Sequence, residues 1–465
     1  MNNQKKIVDT INFFKSKMHF WFKKNKNFEK RLVFDKCWST LNDENNHEFI
    51  ILNGLRQVGK TTVLQQLAHE IFKKFQNSDE SIIYISLDQI LISGVKVEDF
   101  MIFLNENINP EKNLYIFLDE IQVLEKWDIF LKNVWDSFPN IKIIASGSSS
   151  LLINLEETGG FRFKFLKVEP LSFKEYLIFR DKDILLNLKE LPKLSAFQTI
   201  SRDELIQINF NSSRLKPFFK NYVFSGSYPK GIFQNLSLFE YQELILNNVY
   251  QKTKDDVFKS YLKNLKKIYS VKINPANFDA IFWYLIENNA SEMSYRTLSE
   301  KLKISKEAVY QNFQLLIYGS LLNSCPRIDF NGKFSSNVKF KYYLTDHTFF
   351  SAVKQFRHFS DLGDKKGFVY ENLIFNYLHQ NQFYDKLGFI KLKKSEIDFA
   401  LFLKNGQKYL FESKSNNWDT KGVNDNFSLP EAKNFLKICI TEDYLERKNE
   451  ILYIPIYLFL LLQIV

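Results

Sequence analysis

Gly54-Leu55-Arg56-Gln57-Val58-Gly59-Lys60-Thr61-Thr62 fits the pattern G-x-x-x-x-G-K-[ST], and its reading decides the fold. Ahead of it, Phe49-Ile50-Ile51-Leu52 is continuously apolar and reads as a buried strand; behind it, Val63-Leu64-Gln65-Gln66-Leu67-Ala68 has helical spacing. Strand, glycine loop and helix in that order make a phosphate cradle. The glycines let successive backbone N–H groups turn toward phosphate oxygens, and the helix N-terminus adds partial positive charge. Lys60 is placed to reach the β- and γ-phosphates and Thr61 to ligate Mg2+. Gly54, Arg56, Gln57, Val58, Gly59 and Thr62 complete the expected nucleotide-binding set. A chance glycine turn before a helix is the competing reading, and the context on both sides weighs against it. The stretch predicts binding of ATP or GTP.

Working outward, Ser81-Ile82-Ile83-Tyr84-Ile85-Ser86-Leu87, Leu114-Tyr115-Ile116-Phe117-Leu118 and Ile141-Lys142-Ile143-Ile144-Ala145 are further strand candidates, separated by helical patterns. Continuous apolar strands suit a parallel sheet covered by helices on both faces, so the fold class is α/β. The middle strand runs into Asp119-Glu120. Apolar residues followed by Asp-Glu form the Walker B pattern, with Asp119 holding Mg2+ through water and Glu120 polarising the attacking water as general base. Alone, this could be a strand ending in solvated acids; downstream of an intact phosphate loop that alternative is weak. The next strand ends in Ser146-Gly147-Ser148-Ser149-Ser150. A small polar residue there is placed to sense the γ-phosphate. Ser148 is the first choice and Ser146 the second, against a plain serine-rich loop.

The whole chain has 465 residues, 45% hydrophobic and 25% charged, which suits about three globular domains with real cores. The 47 phenylalanines reflect codon bias before they reflect function. A net charge of +10 permits an acidic partner such as DNA or RNA, and is diluted over a long chain. Cys37, Cys325 and Cys439 show no paired spacing, which argues for a reducing compartment and against a zinc site. Met18-His19-Phe20-Trp21-Phe22 is too short and too lysine-flanked for a signal peptide. The apolar run from Ile451 to Val465 falls short of the ~20 residues that span a bilayer and reads as a closing core strand. The expectation is a cytoplasmic protein with no membrane partner.

With these motifs in view, the chain resembles a family of prokaryotic AAA-type ATPases whose C-terminal domain is similar to PD-(D/E)XK nucleases. Leu118-Asp119-Glu120-Ile121-Gln122, Trp127, the Ser146–Ser150 run, Glu169-Pro170-Leu171-Ser172-Phe173-Lys174-Glu175-Tyr176 and Tyr222-Val223-Phe224-Ser225-Gly226-Ser227-Tyr228-Pro229 carry the likeness. The family usually has a Gly-Arg pair before its Pro-Leu-Ser-Phe segment; here Arg162 keeps the arginine and Phe161 replaces the glycine. Ser227 likewise stands where glycine is usual. The resemblance implies ATP as the nucleotide, Mg2+ as its metal, and Arg162 as a γ-phosphate contact in cis or from a neighbouring subunit of a homo-oligomer.

The expected organisation is a basic helix over 1–30, a P-loop AAA-type core over 31–180, a helical lid over 181–260, a winged-helix module over 261–350 and a small α+β nuclease-like domain over 355–465. The basic helix could touch nucleic acid or an acidic membrane surface, or simply pack on the core. In the winged-helix stretch, helices are expected over 279–286 and 295–302, with Ser305 capping a third and a strand pair around Asn331-Gly332 as the wing. The third helix offers Lys306, Glu307, Tyr310, Gln311 and Asn312, a set poor in the Arg and Lys that read a major groove.

In the C-terminal stretch, Glu371 lies on a helical pattern, followed by Glu396-Ile397-Asp398-Phe399 and Phe411-Glu412-Ser413-Lys414. Asp398 and Glu412 are the candidate metal ligands, with Glu371 supporting. Lys414 would orient water or offset transition-state charge. The turn at Lys404-Asn405-Gly406-Gln407 leaves two registers open. A two-residue loop sets Asp398 against Ser413 and puts Glu412 on the other face. A three-residue loop with Gly406 left-handed sets Asp398 against Glu412. Only the latter builds a metal site. The sequence therefore points to an ATP-hydrolysing protein acting on nucleic acid through a metal-dependent nuclease domain. The alternative is a regulatory nucleotide switch that binds protein partners through a silent nuclease-like domain.

Overall fold

The computed structural model describes residues 2–25, 28–43, 45–76, 81–92, 96–107, 113–124, 126–148, 162–186, 191–260, 273–335, 339–354, 359–380, 384–415 and 420–464. It divides into two compact units, one of Met1–Glu169 with Lys252–Ile268 and one of Pro170–Gln251 with Tyr269–Val465.

The first unit is built on β1 (Phe49–Gly54), β2 (Ile82–Ser86), β3 (Leu114–Asp119), β4 (Ile141–Ser148) and β5 (Phe163–Lys167), in the order β2-β3-β4-β1-β5. Every neighbouring pair is parallel. Every residue of β1 and β3 is buried, as expected of strands covered on both faces. The helix Lys60–Lys74 buries Val63, Leu64, Leu67, Ala68 and Ile71 at helical spacing. Burial of each large aliphatic chain is worth about 1.5–3 kcal/mol over exposure. Trp127, Leu131 and Val134 of the helix Trp127–Ser137 join Ile51, Ile116, Leu118 and Ala145 in one core. The N-terminal helix Asn2–Asn25 packs on that core through Ile7 and Phe14. Its buried side continues through Met18 and Phe22.

Parallel strands bring their C-terminal ends to one edge. There Gly54 pairs with Ser148, Ser86 with Asp119, and Leu118 with Ala145. The phosphate-loop pattern, the Asp-Glu pair and the serine run thus meet at one edge although they are far apart in sequence.

The second unit begins with short helices, several closed by capping boxes, including Ser172 with Glu175 ahead of Phe173–Arg180. Next come the helices Pro275–Glu287, Tyr295–Leu302 and Lys306–Tyr318. They accompany an antiparallel sheet of β6 (Glu292–Met293), β7 (Leu322–Pro326) and β8 (Phe340–Leu344), in the order β6-β8-β7. Ser305 caps the third helix by accepting the Ala308 N–H at 3.2 Å. Asn331 and Gly332 lie in a tight turn, where Asp329 accepts the N–H groups of Asn331 and Lys333 and Gly332 has φ +74°. One expectation is corrected here. Gln311 and Asn312 are buried, because their positions carry the inward stripe of the third helix; Lys306, Glu307 and Tyr310 remain exposed.

The rest of this unit is a six-stranded mixed sheet of β9 (Tyr384–Lys391), β10 (Glu396–Leu403), β11 (Lys408–Ser413), β12 (Leu436–Thr441), β13 (Glu446–Lys448) and β14 (Ile451–Pro455). Its order is β13-β14-β12-β11-β10-β9. The helices Lys366–Gln380 and Thr420–Phe427 precede β9 and β12. The terminal apolar run is not one strand. β14 stops at Pro455, which cannot donate to a ladder, and the helix Ile456–Phe459 follows with all four residues buried. Among the described residues, no helix is long and apolar enough to cross a membrane. All three cysteines are free and buried.

Candidate functional site

Two sites emerge, one in each unit. At the first, β1 ends in Gly54 with φ +151°, where a Cβ would sit 2.2 Å from the Val168 carbonyl oxygen. Only glycine allows that approach, which the bond from Val168 N–H to the Asn53 carbonyl (2.7 Å) holds in place. Gly59 has φ +98° and Gln57 φ +66°, so the loop curls through left-handed geometry before the helix begins at Lys60. Lys60 is 7% exposed, and its Nζ donates to the carbonyls of Gly54 (2.9 Å) and Leu55 (2.8 Å). Burial lowers the Lys60 ammonium to about 8, against the opposing pull of Glu120 and Asp119.

Asp119 closes the other side. Burial raises its carboxyl to about 6, while hydrogen bonds from the Ser146 and Thr61 hydroxyls work the other way. Ser146 also accepts the Glu120 N–H at 3.4 Å, so it ties both acids to β4. Glu120 has left-handed backbone (φ +59°, ψ +48°), and its carboxylate accepts from Gln122 Nε2. The Ser148 N–H donates to Gln122 Oε1 at 3.3 Å. Of the two serines, Ser146 engages the acids and Ser148 stands opposite Gly54; Ser149 and Ser150 lie outside the described residues.

Arg56 turns away from the loop backbone to a two-pronged ion pair with Asp256 of the helix Lys252–Ser260, at 2.7 and 2.8 Å. Arg31, 5% exposed, donates to the Val58 carbonyl and to the Glu169 carbonyl (2.8 Å), bracing the loop from behind. No spacing rule in the sequence identifies either Arg31 or Asp256.

Arg162 is not brought to this chain's own phosphate loop. It immediately precedes Phe163, which pairs with Phe49 at the start of β1. Gly54 lies five residues further along, about 17 Å at the ~3.3 Å rise of a strand. Arg162 instead binds Asp136 at 3.2 Å and lies over the Trp135 ring at 5.1 Å. In this structure Arg162 therefore lies at the opposite end of β5 from the Gly54 edge, paired with Asp136.

The second site depends on the register of β10 and β11. Phe399 pairs with Phe411 and Phe402 with Lys408, so the ladder carried one step further sets Asp398 opposite Glu412. The turn is the three-residue form. The Leu403 N–H donates to the Gln407 carbonyl (2.9 Å), the Gly406 N–H to the Leu403 carbonyl (3.0 Å), and Gly406 has φ +88°. Asp398 accepts the Ser413 N–H at 2.8 Å. Glu412, 3% exposed, accepts from Asn426 at 3.0 Å and lies 3.5 Å from the Lys414 ammonium. Asn426 also donates to the Glu396 carbonyl at 3.0 Å, so the helix Thr420–Phe427 ties the two strands together.

Glu371 takes a different partner. Its Oε1 accepts from Tyr343 (2.7 Å) and lies 2.9 Å from the Nζ of Lys341, both on β8. Lys341 is 1% exposed, with its Nζ 2.8 Å from Glu396 and 3.9 Å from Asp398. Burial raises the carboxyls of Glu371, Asp398 and Glu412. Burial opposes the Lys341 charge, but Glu371, Asp398 and Glu396 outweigh it and hold the ammonium above its ordinary range. Lys414 is raised in the same way, mainly by Glu412 and Asp398. Among the described residues, no three His, Cys, Asp or Glu side chains form a metal-holding group. Asp398 and Glu412 come together in the second of the two registers the sequence left open, while Glu371 is diverted to Lys341. The only hint of Lys341 in the sequence is a lysine inside the apolar strand Phe340-Lys341-Tyr342-Tyr343-Leu344.

Residues 46–177 match the family model described as an AAA domain. Over nearly its whole length, the chain is similar to an uncharacterized protein of Methanocaldococcus jannaschii, 27% identical over 457 residues, covering 95% of this chain and 90% of that one. An uncharacterized protein of Haemophilus influenzae is 24% identical over 425 residues, covering 87% and 92%. Among solved structures, the Aeropyrum pernix ORC2 protein is similar at 12% identity with a TM-score of 0.35, covering 70% of this chain and 94% of that one. DnaA from Aquifex aeolicus is similar at 16% identity with a TM-score of 0.28, covering 63% and 90%.

Proposed function

We propose, from an AAA domain over residues 46–177, that this chain binds and hydrolyses ATP and couples turnover to work on nucleic acid. The observation that carries this reading is the convergence of Lys60, Thr61, Asp119 and Glu120 at the edge where β1, β3 and β4 end. The residues fit a magnesium–triphosphate group. Among the described residues Lys60 donates to loop carbonyls alone, Thr61 is exposed beside Asp119, and the backbone at Gly54 leaves no room for a side chain. Mg2+ bound by Thr61 and Asp119 would offset phosphate charge. Lys60 binds the phosphate oxygens, Glu120 orients and deprotonates the attacking water, and Ser146 holds both acids in place. Arg162, a third exposed, is left for the γ-phosphate of a neighbouring copy in a homo-oligomer. Lys60→Ala should lose ATP binding, and Glu120→Gln should retain bound ATP while turnover falls at least 100-fold. Unchanged hydrolysis by Lys60→Ala would overturn this assignment.

In the second unit, the order helix, β9, β10, β11, helix, β12, with Asp398 and Glu412 facing each other, supports a PD-(D/E)XK-type domain that cleaves phosphodiesters with a divalent metal. The helix and strand order ahead of it supports the winged-helix reading. Asp398 and Glu412 would be the metal ligands, and Lys414 supplies fixed positive charge beside them. The test is a panel of single- and double-stranded DNA and RNA with Mg2+ or Mn2+, with and without ATP. Cleavage that disappears in Asp398→Asn and Lys414→Ala supports a nuclease. Absence of cleavage on every substrate leaves the nucleotide switch.

A further inference from the structure

Lys341 is the most enclosed cation in the second unit's acidic site, and nothing in the nuclease-like reading uses it. It is delivered by β8, a strand of the three-stranded sheet, to carboxylates that the six-stranded sheet and its first helix supply. Its Nζ is 2.9 Å from Glu371 and 2.8 Å from Glu396, but 3.9 Å from Asp398. Two residues along β8, on the same face, Tyr343 donates to the same Glu371 oxygen at 2.7 Å. Glu412 stands apart from this group, bound by Asn426 and Lys414.

The acidic side chains therefore divide into two halves. Glu371 and Glu396 already share a buried ammonium at hydrogen-bonding distance, which satisfies them electrostatically and sterically. Asp398 and Glu412 face each other across adjacent strands and hold their cations more loosely, Lys341 at 3.9 Å from Asp398 and Lys414 at 3.5 Å from Glu412. We infer that Lys341 is a positioning residue that takes the place of a second metal ion, leaving a one-metal site at Asp398 and Glu412. This rests on reading those two residues as metal ligands. Glu371 then acts through Lys341, anchoring the fixed charge instead of coordinating the metal.

The test is Mn2+ binding to the full chain without nucleotide, read as stoichiometry by calorimetry and by electron paramagnetic resonance of free Mn2+. Wild type should bind one Mn2+ in a manner lost in Asp398→Asn. Lys341→Met should bind two, both lost when Asp398→Asn is added. Because Lys341→Met removes a buried charge and threatens folding, Glu371→Gln gives an independent arm. It keeps a hydrogen-bond acceptor for Tyr343 and should leave the single Mn2+ affinity within about threefold of wild type. Two Mn2+ bound by wild type, one by folded Lys341→Met, or a tenfold loss in Glu371→Gln would each overturn the role of Lys341 while leaving the metal site standing. No Asp398-dependent Mn2+ binding in any variant would overturn the metal reading itself, and this inference with it.

Discussion

Lys60 and Asp119 are displaced in opposite directions by the same cause. Both are buried, which disfavours charge, so the ammonium falls to about 8 and the carboxyl rises to about 6. Phosphate requires Lys60 protonated, and Mg2+ requires Asp119 deprotonated. Above pH 8 a proton must be taken up by Lys60 on binding, so affinity falls by up to tenfold per pH unit. Below pH 6 a proton must leave Asp119, and affinity falls in the other direction. Affinity for magnesium–ATP should therefore have a plateau between about pH 6 and 8, measurable by titration calorimetry in buffers of different ionisation heat. Affinity flat from pH 5 to 9 would contradict the burial of both groups. At this scale the sequence was informative: it marked Lys60, Thr61, Asp119 and Glu120 by spacing alone. It was silent on Arg31, which braces the loop through the Val58 carbonyl, because a lone arginine before a helix has no distinguishing pattern.

Among the elements, β8 and the β10–β11 hairpin decide the second site. The hairpin's register follows from Gly406: left-handed φ at the third loop position selects the three-residue turn, and that sets Asp398 against Glu412. The sequence limited the choice to two registers, and the turn geometry selected between them. The sequence suggested a strand pair around Asn331-Gly332, but nothing in the pattern of β8 tells which acids its lysine meets. Removing that lysine should leave Glu371 and Glu396 close together without their shared cation. Lys341→Met is expected to destabilise the second unit by about 3–5 kcal/mol at neutral pH. The pH dependence has a definite sign. Glu371 and Asp398 are raised in the folded state, so their cost is smallest when they are protonated and grows as pH rises through their folded values. The deficit against wild type in urea unfolding should therefore be larger at pH 8 than at pH 5. An equal deficit at both would argue that Lys341 contributes packing instead of charge.

For the whole molecule, the chain's path matters most in the first unit. The polypeptide leaves that unit at Glu169 and returns at Lys252, so Asp256 meets Arg56 across 200 positions of sequence. A variable position of the phosphate loop is thereby tied to the returning segment. The pair is partly exposed, so its coupling should be modest, about 1 kcal/mol in a double-mutant cycle of Arg56→Ala and Asp256→Ala followed by thermal unfolding of the first unit. Strict additivity would mean that the two side chains do not stabilise each other. The expected boundary at residue 180 differs from the compact division at Glu169, and the helices within Pro170–Gln251 belong with the second unit. Composition changes little across that stretch, so no linker signal marks the exit and return.

By itself, the sequence determined the parallel sheet, the phosphate loop, the Asp-Glu pair and the two candidate hairpin registers. Each of these rests on local spacing: periodicity, glycine positions, or charges at fixed offsets along one strand. Tertiary structure alone decided that Ser146 holds the acids, that Arg162 pairs with Asp136, and that Asp398 meets Glu412 while Lys341 claims Glu371. Those outcomes depend on which strand ends share an edge and which strand lies against which helix. Such partners are chosen by the packing of the whole sheet, and no window of sequence contains them.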